Sequence, residues 1–227
     1  MKKKIYWYTQ DFKNLPKDND WLTQQEKQIL ENLKFLKRRN EWRLGRWTAK
    51  NAVQKYFESQ KHLAFQDIHI LTRENRSPYI KIDNHENNIA LSISHRERKA
   101  LSAVSDNFNA IGCDLELIET RSELFITDYF TPNEVNIVTS HPDQKDIIAN
   151  LIWSAKESVS KVVQLGLNLS THDVDVHTIQ FENSSEWNDM DITLNNSNSF
   201  YGKWKQLGNY IITVAAPKLF DSPVSLH

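Results

Sequence analysis

Three short stretches of the chain hold residue types that can act on one another: Ser92-Ile93-Ser94-His95, Gly112-Cys113-Asp114-Leu115-Glu116 and Trp153-Ser154-Ala155-Lys156-Glu157-Ser158-Val159-Ser160-Lys161. On a strand, residues two apart face the same way, so Asp114 and Glu116 present two carboxylates while Cys113, Leu115 and Leu117 pack the other way. Carboxylates that close repel unless a cation lies between them, and hard oxygen donors suit Mg2+. In the third stretch, Ala155, Val159 and Val162 make the apolar stripe of a helix. Trp153, Glu157 and Lys161, at i, i+4 and i+8, form a ridge roughly opposite that stripe, and a tryptophan there needs a second surface to pack on. Ser94 and His95 end a strand and can offer a hydroxyl and an imidazole to a phosphate. Taken singly, each feature is ordinarily bland: a solvated strand face, a surface ion pair, a satisfied histidine. Taken together, they can hold a hard divalent cation beside a phosphate-bearing substrate.

The elements that must position these residues follow from pattern. Ile5 to Tyr8 reads as a strand. Thr23 to about Arg38 reads as a helix, with Thr23 and Glu26 at capping-box spacing and Ile29, Leu33 and Leu36 on one face. A second helix is predicted over Glu41–Phe57, carrying Arg43, Arg46, Lys50 and Lys55 behind the run Lys37-Arg38-Arg39. Short strands follow at 68–72, 79–82, 89–94, 100–105 and 110–117, the last four spaced as hairpins or a meander. Thr131 as N-cap, Pro132 at N1 and Glu134 at N3 start another helix, with Phe130 and Val135 placed as a staple. A long helix over about Asp146–Gln164 ends at Gly166, and strands are predicted near 174–181, 190–194, 200–204 and 210–215. Residues 182–199, rich in Asn, Ser and Asp, read as a hairpin with loops. No close internal repeat is visible, yet each half reads as helices with a meander. The expectation is an α+β chain of two similar lobes related by a pseudo-twofold, each a small antiparallel sheet packed with helices. The lobes are placed at residues 1–108 and 109–227.

Composition narrows the function classes. With 227 residues, 39% apolar and 25% charged, the chain can bury an ordinary core. A net charge of −1 argues against a nucleic-acid binder that relies on a strongly basic surface. The single cysteine, Cys113, excludes an intramolecular disulfide, suits a reducing compartment, and has no partner at metal-ligand spacing, so it reads as buried and inert. His172 and His177 flank Asp173-Val174-Asp175 in an alternation that turns the valines inward. The apolar run after Lys2-Lys3-Lys4 is too short for a signal peptide, and no stretch reaches membrane-spanning length. A cytoplasmic location is expected.

The order Ser94-His95, then Ile111-Gly112-Cys113-Asp114-Leu115-Glu116, then Trp153-Ser154-Ala155-Lys156-Glu157-Ser158-Val159-Ser160-Lys161 resembles the 4′-phosphopantetheinyl transferases of the surfactin-synthetase-activating type. Gly45-Arg46 with Ala49-Lys50, Arg73 through Pro78-Tyr79, Phe130 to Glu134, and Gly166-Leu167 extend the resemblance over about residues 20–180. It implies a holo-[carrier protein] synthase, a two-lobed monomer binding coenzyme A and Mg2+ between its lobes. The reaction moves 4′-phosphopantetheine from coenzyme A to a serine of an acyl, peptidyl or aryl carrier protein and releases adenosine 3′,5′-bisphosphate. By the same resemblance Asp114, Glu116 and Glu157 hold the metal, Glu157 takes the serine proton directly or through a water, and Lys161 stabilises the pyrophosphate or leaving group. Arg46, Ser94, His95 and Lys161 hold coenzyme A phosphates. The family's Gly-Lys-Pro is Arg76-Ser77-Pro78 here; Arg73 or Arg76 can supply the missing charge, and Arg73, nearer the family's upstream arginine, is preferred. Lys27, Lys34 and Lys37 are all candidates for the basic residue of the first helix. Two other readings are a carrier-binding module without catalysis, and a Mg2+-dependent nuclease, whose glutamate and lysine would be two apart on a strand instead of four apart on a helix.

Overall fold

The computed structural model describes residues 3–83, 85–164, 169–181, 183–195 and 197–227. The first half runs β1 (Tyr6–Asp11), α1 (Gln24–Glu31), α2 (Leu36–Phe57), β2 (Ile68–Thr72), β3 (Pro78–Ile82), β4 (His85–Asn87), β5 (Ala90–Arg96) and β6 (Lys99–Ser105). The second runs β7 (Gly112–Leu117), α3 (Glu123–Tyr129), α4 (Pro132–Thr139), α5 (Lys145–Val163), β8 (Val174–Ile179), β9 (Asn188–Leu194), β10 (Asn198–Leu207), β11 (Tyr210–Ala216) and β12 (Val224–Ser225). The strands form sheets of order β12-β1-β6-β5, β2-β3-β4 and β7-β11-β10-β9-β8. Every pairing is antiparallel except β12 on β1. The result is a mixed α+β molecule of two similar lobes.

One core lies under α5, where Ile148, Leu151, Ile152, Ala155 and Val159 meet Val176, Ile192 and Ile211. A second lies under α2, where Ala49, Ala52 and Val53 meet Ile68, Ile70, Leu91 and Val104. A third joins the two halves: Ile5, Trp7, Leu101 and Ala103 against Cys113, Leu115, Ile212 and Val214. The inward turn of Cys113 and Leu115 leaves Asp114 and Glu116 on the opposite face of β7, as alternation predicts.

Several boundaries differ from the sequence expectation. The helix expected over Thr23–Arg38 is two helices. α1 ends at Glu31, Leu33 N–H closes onto Leu30 C=O, and Phe35 is extended before α2 begins at Leu36. The break lets Leu33 pack with Trp21, Leu22 and Leu30 against Trp42 and Trp47 of α2. Short β4 and β12, and α3 with its Ser122 cap, had no distinct periodic signal. Gly166 and Leu167 lie outside the described residues.

The two similar lobes expected from sequence carry a short internal repeat that was not visible there. Trp47-Thr48-Ala49-Lys50-Asn51-Ala52-Val53-Gln54-Lys55 on α2 and Trp153-Ser154-Ala155-Lys156-Glu157-Ser158-Val159-Ser160-Lys161 on α5 share five of nine residues, 106 positions apart. The repeat extends to a buried device. Glu26 and Glu134 each complete a capping box, with Thr23 and Thr131. Each then accepts a strand N–H on its other oxygen, from Ile70 and Val176, both at 2.9 Å. Lys50 Nζ reaches Glu26 at 2.6 Å and donates to the carbonyls of Trp21 and Phe65. Lys156 Nζ reaches Glu134 at 2.7 Å and donates to the carbonyls of Thr171 and Val174. Both lysines and both glutamates are buried, so each charge is held by a full set of partners.

Removing one partner of such a pair strands a buried charge. Lys156→Met is expected to cost about 3–5 kcal/mol in urea unfolding, and the double variant Glu134→Gln/Lys156→Met to recover a substantial part of that loss.

Candidate active site

Asp114 sits at the centre of the site, brought there by close contact between β7 and α5. A Cβ on Gly112 would lie 1.8 Å from the Ser158 carbonyl oxygen, so only glycine lets β7 approach α5 this closely. One carboxylate oxygen of Asp114, Oδ1, accepts from Ser94 Oγ at 2.7 Å and from Lys161 Nζ at 2.8 Å. Lys161 also donates to the Cys113 carbonyl at 2.9 Å. The other oxygen, Oδ2, is buried and makes no hydrogen bond.

Two further carboxylates lie within electrostatic reach of Asp114. Burial first, and then Asp114, push Glu116 up to about 7, against the pull of Arg96, Arg121 and the Trp153 indole. Burial and Asp114 likewise raise Glu157, and Lys161 opposes them. Burial opposes the charge on Lys161, but Asp114 and its other acceptors outweigh it and the net shift is upward. The predicted ridge is therefore a cleft-facing row: Trp153 meets Glu116 and packs on Phe125 and Tyr129, while Glu157 and Lys161 face Asp114.

A cavity of about 680 Å3 opens beside this row. Its wall draws on both halves: Arg73, Tyr79 and Glu86 from the β2–β4 region, Ser92 from β5, and Glu157, Ser160 and Lys161 from α5. That volume falls in the usual range for small-molecule sites. Of the candidate site residues named from sequence, Arg73, its alternative Arg76, Glu157 and Lys161 line it. Arg73 stacks on Tyr79 at 4.5 Å and pairs with Glu86. Asp114, Glu116, Ser94, His95 and Arg46 stand outside its lining. Ser94 directs its hydroxyl at Asp114, and His95 lies against α2, where Gly45 leaves room for its ring. Burial lowers the His95 pKa below its ordinary value, with Glu41 opposing and Arg38 assisting, so the ring offers hydrogen bonds and not charge at neutral pH. Arg46 is buried, donates to Thr72 Oγ1 at 3.0 Å, lies 5.0 Å from the Trp42 ring, and has an Nε without a partner. Burial pushes its pKa down to about 10, and Glu26 is the main group opposing that shift.

The carboxylate and the bare oxygen bear on metal binding. Among the described residues, no group of three or more His, Cys, Asp or Glu side chains is already placed to hold a metal ion. Glu116 is instead held by Arg121 at 3.1 Å and Arg96 at 3.6 Å. Even so, the donor chemistry suits a hard divalent cation: a buried, unpartnered Asp114 oxygen, and two carboxylates whose pKa values are raised by burial and by Asp114. The arginines were missed in sequence. Arg121 bridges Glu116, Glu119 and Asn150, and Arg96 bridges Glu116 and Glu119. Their signal was position alone, since both flank strand ends that carry the carboxylates.

The repeat identifies what is special about the second lobe. At the same 106-residue offset, Asp114, Glu116, Glu157 and Lys161 correspond to Tyr8, Gln10, Asn51 and Lys55. Lys55 still reaches the equivalent strand position, with Nζ 5.6 Å from the Tyr8 ring, but no carboxylate meets it there. Gln10 donates to Tyr8 Oη at 2.8 Å. A model of the 4′-phosphopantetheinyl transferase superfamily matches the chain twice, over residues 9–105 and 110–215. The chain belongs to that superfamily. Phosphopantetheinyl transfer is the activity of the superfamily, and in this transferase Asp114, Glu116 and Glu157 all lie in the second of the two matched segments.

The folded state holds the Glu116 proton more tightly than the unfolded chain, so its contribution to stability is full below the ordinary glutamate range and is lost as pH rises through about 7. Mg2+ is expected to raise the melting temperature of the transferase more at pH 8 than at pH 5.5. Asp114→Asn should remove most of that increment, as read by thermal unfolding with and without Mg2+.

Proposed function

We propose that this transferase moves 4′-phosphopantetheine from coenzyme A to a serine hydroxyl of a carrier protein in a Mg2+-dependent reaction, releasing adenosine 3′,5′-bisphosphate. The observation that carries the reading is the convergence of Asp114, Glu116, Glu157 and Lys161 on one lobe of a duplicated scaffold, beside a cavity walled by both lobes. Asp114, Glu116 and Glu157 would hold Mg2+. The metal would offset the charge that builds on the pyrophosphate as the phosphoanhydride breaks. Glu157, at the cavity wall with its pKa raised by burial and Asp114, is the group to take the serine proton, directly or through one water. The hydroxyl oxygen then attacks the β-phosphorus, a new phosphoester forms, and the bond to the α-phosphate oxygen breaks.

Lys161 holds its proton at the cavity wall, and its role is to meet the charge that develops on the leaving bisphosphate. Asp114 keeps that ammonium in place, and Ser94 supports Asp114 from behind. Arg46, a buried guanidinium with an unused N–H, is suited to a phosphate of coenzyme A, as is Arg73 once it exchanges Glu86 for a ligand anion. His95 contributes a neutral hydrogen-bonding ring. Since one chain supplies both walls of the cavity, the monomer is the working unit. Among the described residues no helix is long and apolar enough to cross a membrane, and a cytoplasmic location is proposed alongside the activity.

The test is mass spectrometry of an apo carrier domain incubated with coenzyme A, Mg2+ and the protein. Gain of one phosphopantetheinyl group, with release of adenosine 3′,5′-bisphosphate, is the expected outcome. Glu157→Gln and Asp114→Asn are each expected to lower kcat by about 100-fold or more. Undiminished transfer in both variants would overturn the assignment.

A further inference from the structure

A carboxylate in the wall of a cavity proposed to take phosphates needs a reason, because like charges repel. Glu86 is that carboxylate. It lines the cavity with Arg73 and Tyr79 and pairs with Arg73. The two partners are held very differently. The Arg73 N–H donates to the Ser77 carbonyl and the Arg76 N–H to the Arg73 carbonyl, both at 2.9 Å, which closes the turn between β2 and β3. Asn75 Oδ1 accepts from the Ser77 N–H at 3.1 Å and from its hydroxyl at 2.7 Å. The Asn75 amide then reaches across to the Gln164 side chain at the end of α5, at 3.0 Å. The Arg73 guanidinium lies 4.5 Å from the Tyr79 ring. None of these contacts involves Glu86, so Arg73 keeps its place whichever anion it meets.

Glu86 is the movable member. It is the middle residue of the three-residue edge strand β4, which pairs only with β3. Arg73 and Glu86 are 45% and 46% exposed, and ion pairs so open to solvent are individually weak. A second cation stands ready for Glu86. The β3–β4 register sets Lys81 directly opposite it, and such cross-strand partners have Cβ atoms about 5 Å apart. Lys81 has no ion pair among the described residues, and its Nζ lies 5.9 Å from the Tyr79 ring that Arg73 also meets. Lys81 stands outside the cavity lining, in the wall of a neighbouring hollow that shares Arg73, Tyr79 and Glu86 with the cavity.

Resting on the transferase reading above, we infer that Glu86 is an internal counter-anion: it holds Arg73 while the cavity is empty and passes to Lys81 when a ligand phosphate takes Arg73. Each state then leaves Arg73 and Glu86 paired, so the exchange strands no charge. The carboxylate competes with every phosphate that Arg73 binds, and it hastens departure of the bisphosphate product. Glu86 and Lys81 are thus positioning residues that set how tightly Arg73 keeps its ligand.

The experiment is calorimetric titration of the full chain with coenzyme A and with adenosine 3′,5′-bisphosphate, without carrier protein, together with stopped-flow release of the bisphosphate. Glu86→Gln is expected to tighten both ligands about fivefold, chiefly through slower release. Lys81→Gln should weaken both about threefold, because the displaced carboxylate loses its second partner. The double variant Glu86→Gln/Lys81→Gln should bind as Glu86→Gln does. In an Arg73→Gln background, Glu86→Gln should change nothing. Unchanged or weaker binding in Glu86→Gln would overturn the inference. So would equal tightening without Arg73, which would mark a general field effect, or equal weakening by Lys81→Gln without Glu86, which would mark a direct ligand contact. If the wild-type protein binds neither ligand, the transferase reading fails first and the exchange falls with it.

Discussion

The rest of the structure depends on one arrangement used twice: a lysine drawn through the core to a glutamate that caps a helix. In the second lobe Glu134 closes the start of α4, accepts a β8 amide and receives Lys156 from the middle of α5. Three elements are thereby held in one geometry, and α5 cannot rotate or slide without stranding a buried charge. Because Lys156 must face inward, its neighbour Glu157 is turned toward the cleft, and Lys161, a little over one turn on, follows it. A buried ion pair is weak evidence for stability in itself, but here it specifies orientation, that of the row of α5 side chains facing the cleft.

Upon that frame, the site is built from unequal treatment of one carboxylate. Asp114 gives one oxygen to Ser94 and Lys161 and leaves the other buried and bare. Ser94 comes from the first lobe and Lys161 from the second, so this single carboxylate also ties the halves together across the cleft. Its charge raises Glu116 and Glu157. A cation bound there would lower Glu116 and Glu157 together, which couples metal occupancy to the protonation of the proposed base.

Much of this was legible in sequence, because local rules govern the parts that were read. Period-two alternation put Asp114 and Glu116 on one face, and helical spacing aligned Glu157 with Lys161. Thr131-Pro132-Asn133-Glu134 marked a helix start that the structure contains. What escaped has nonlocal causes. Nothing in residues 31–36 announces a helix break, which follows from Leu33 packing under α2. The Arg96–Glu119–Arg121 network joins two strand ends that only the fold brings together. The inward course of Lys156 reads on paper as one more charge in a polar helix. The repeat was present in the text but concentrated in nine residues, with the strands preserving only their pattern.

The repeat also explains why a doubled scaffold yields one site. Cys113 and Trp7 occupy matching positions, 106 residues apart, on β7 and β1. The outer edge of β7 faces β5, whose Ser92 hydroxyl accepts the Cys113 N–H, and the Cys113 carbonyl is left for Lys161. The outer edge of β1 is closed instead by β12, and the Trp7 carbonyl accepts the Leu226 N–H at 3.0 Å. Lys55, the counterpart of Lys161, has neither a carbonyl nor a carboxylate partner among the described residues and rests over Tyr8. An edge strand with an unsatisfied carbonyl is ordinarily a liability. On β7 that open carbonyl becomes one of the two acceptors that hold the Lys161 ammonium, whereas the strand laid on β1 removes the same possibility from the first lobe.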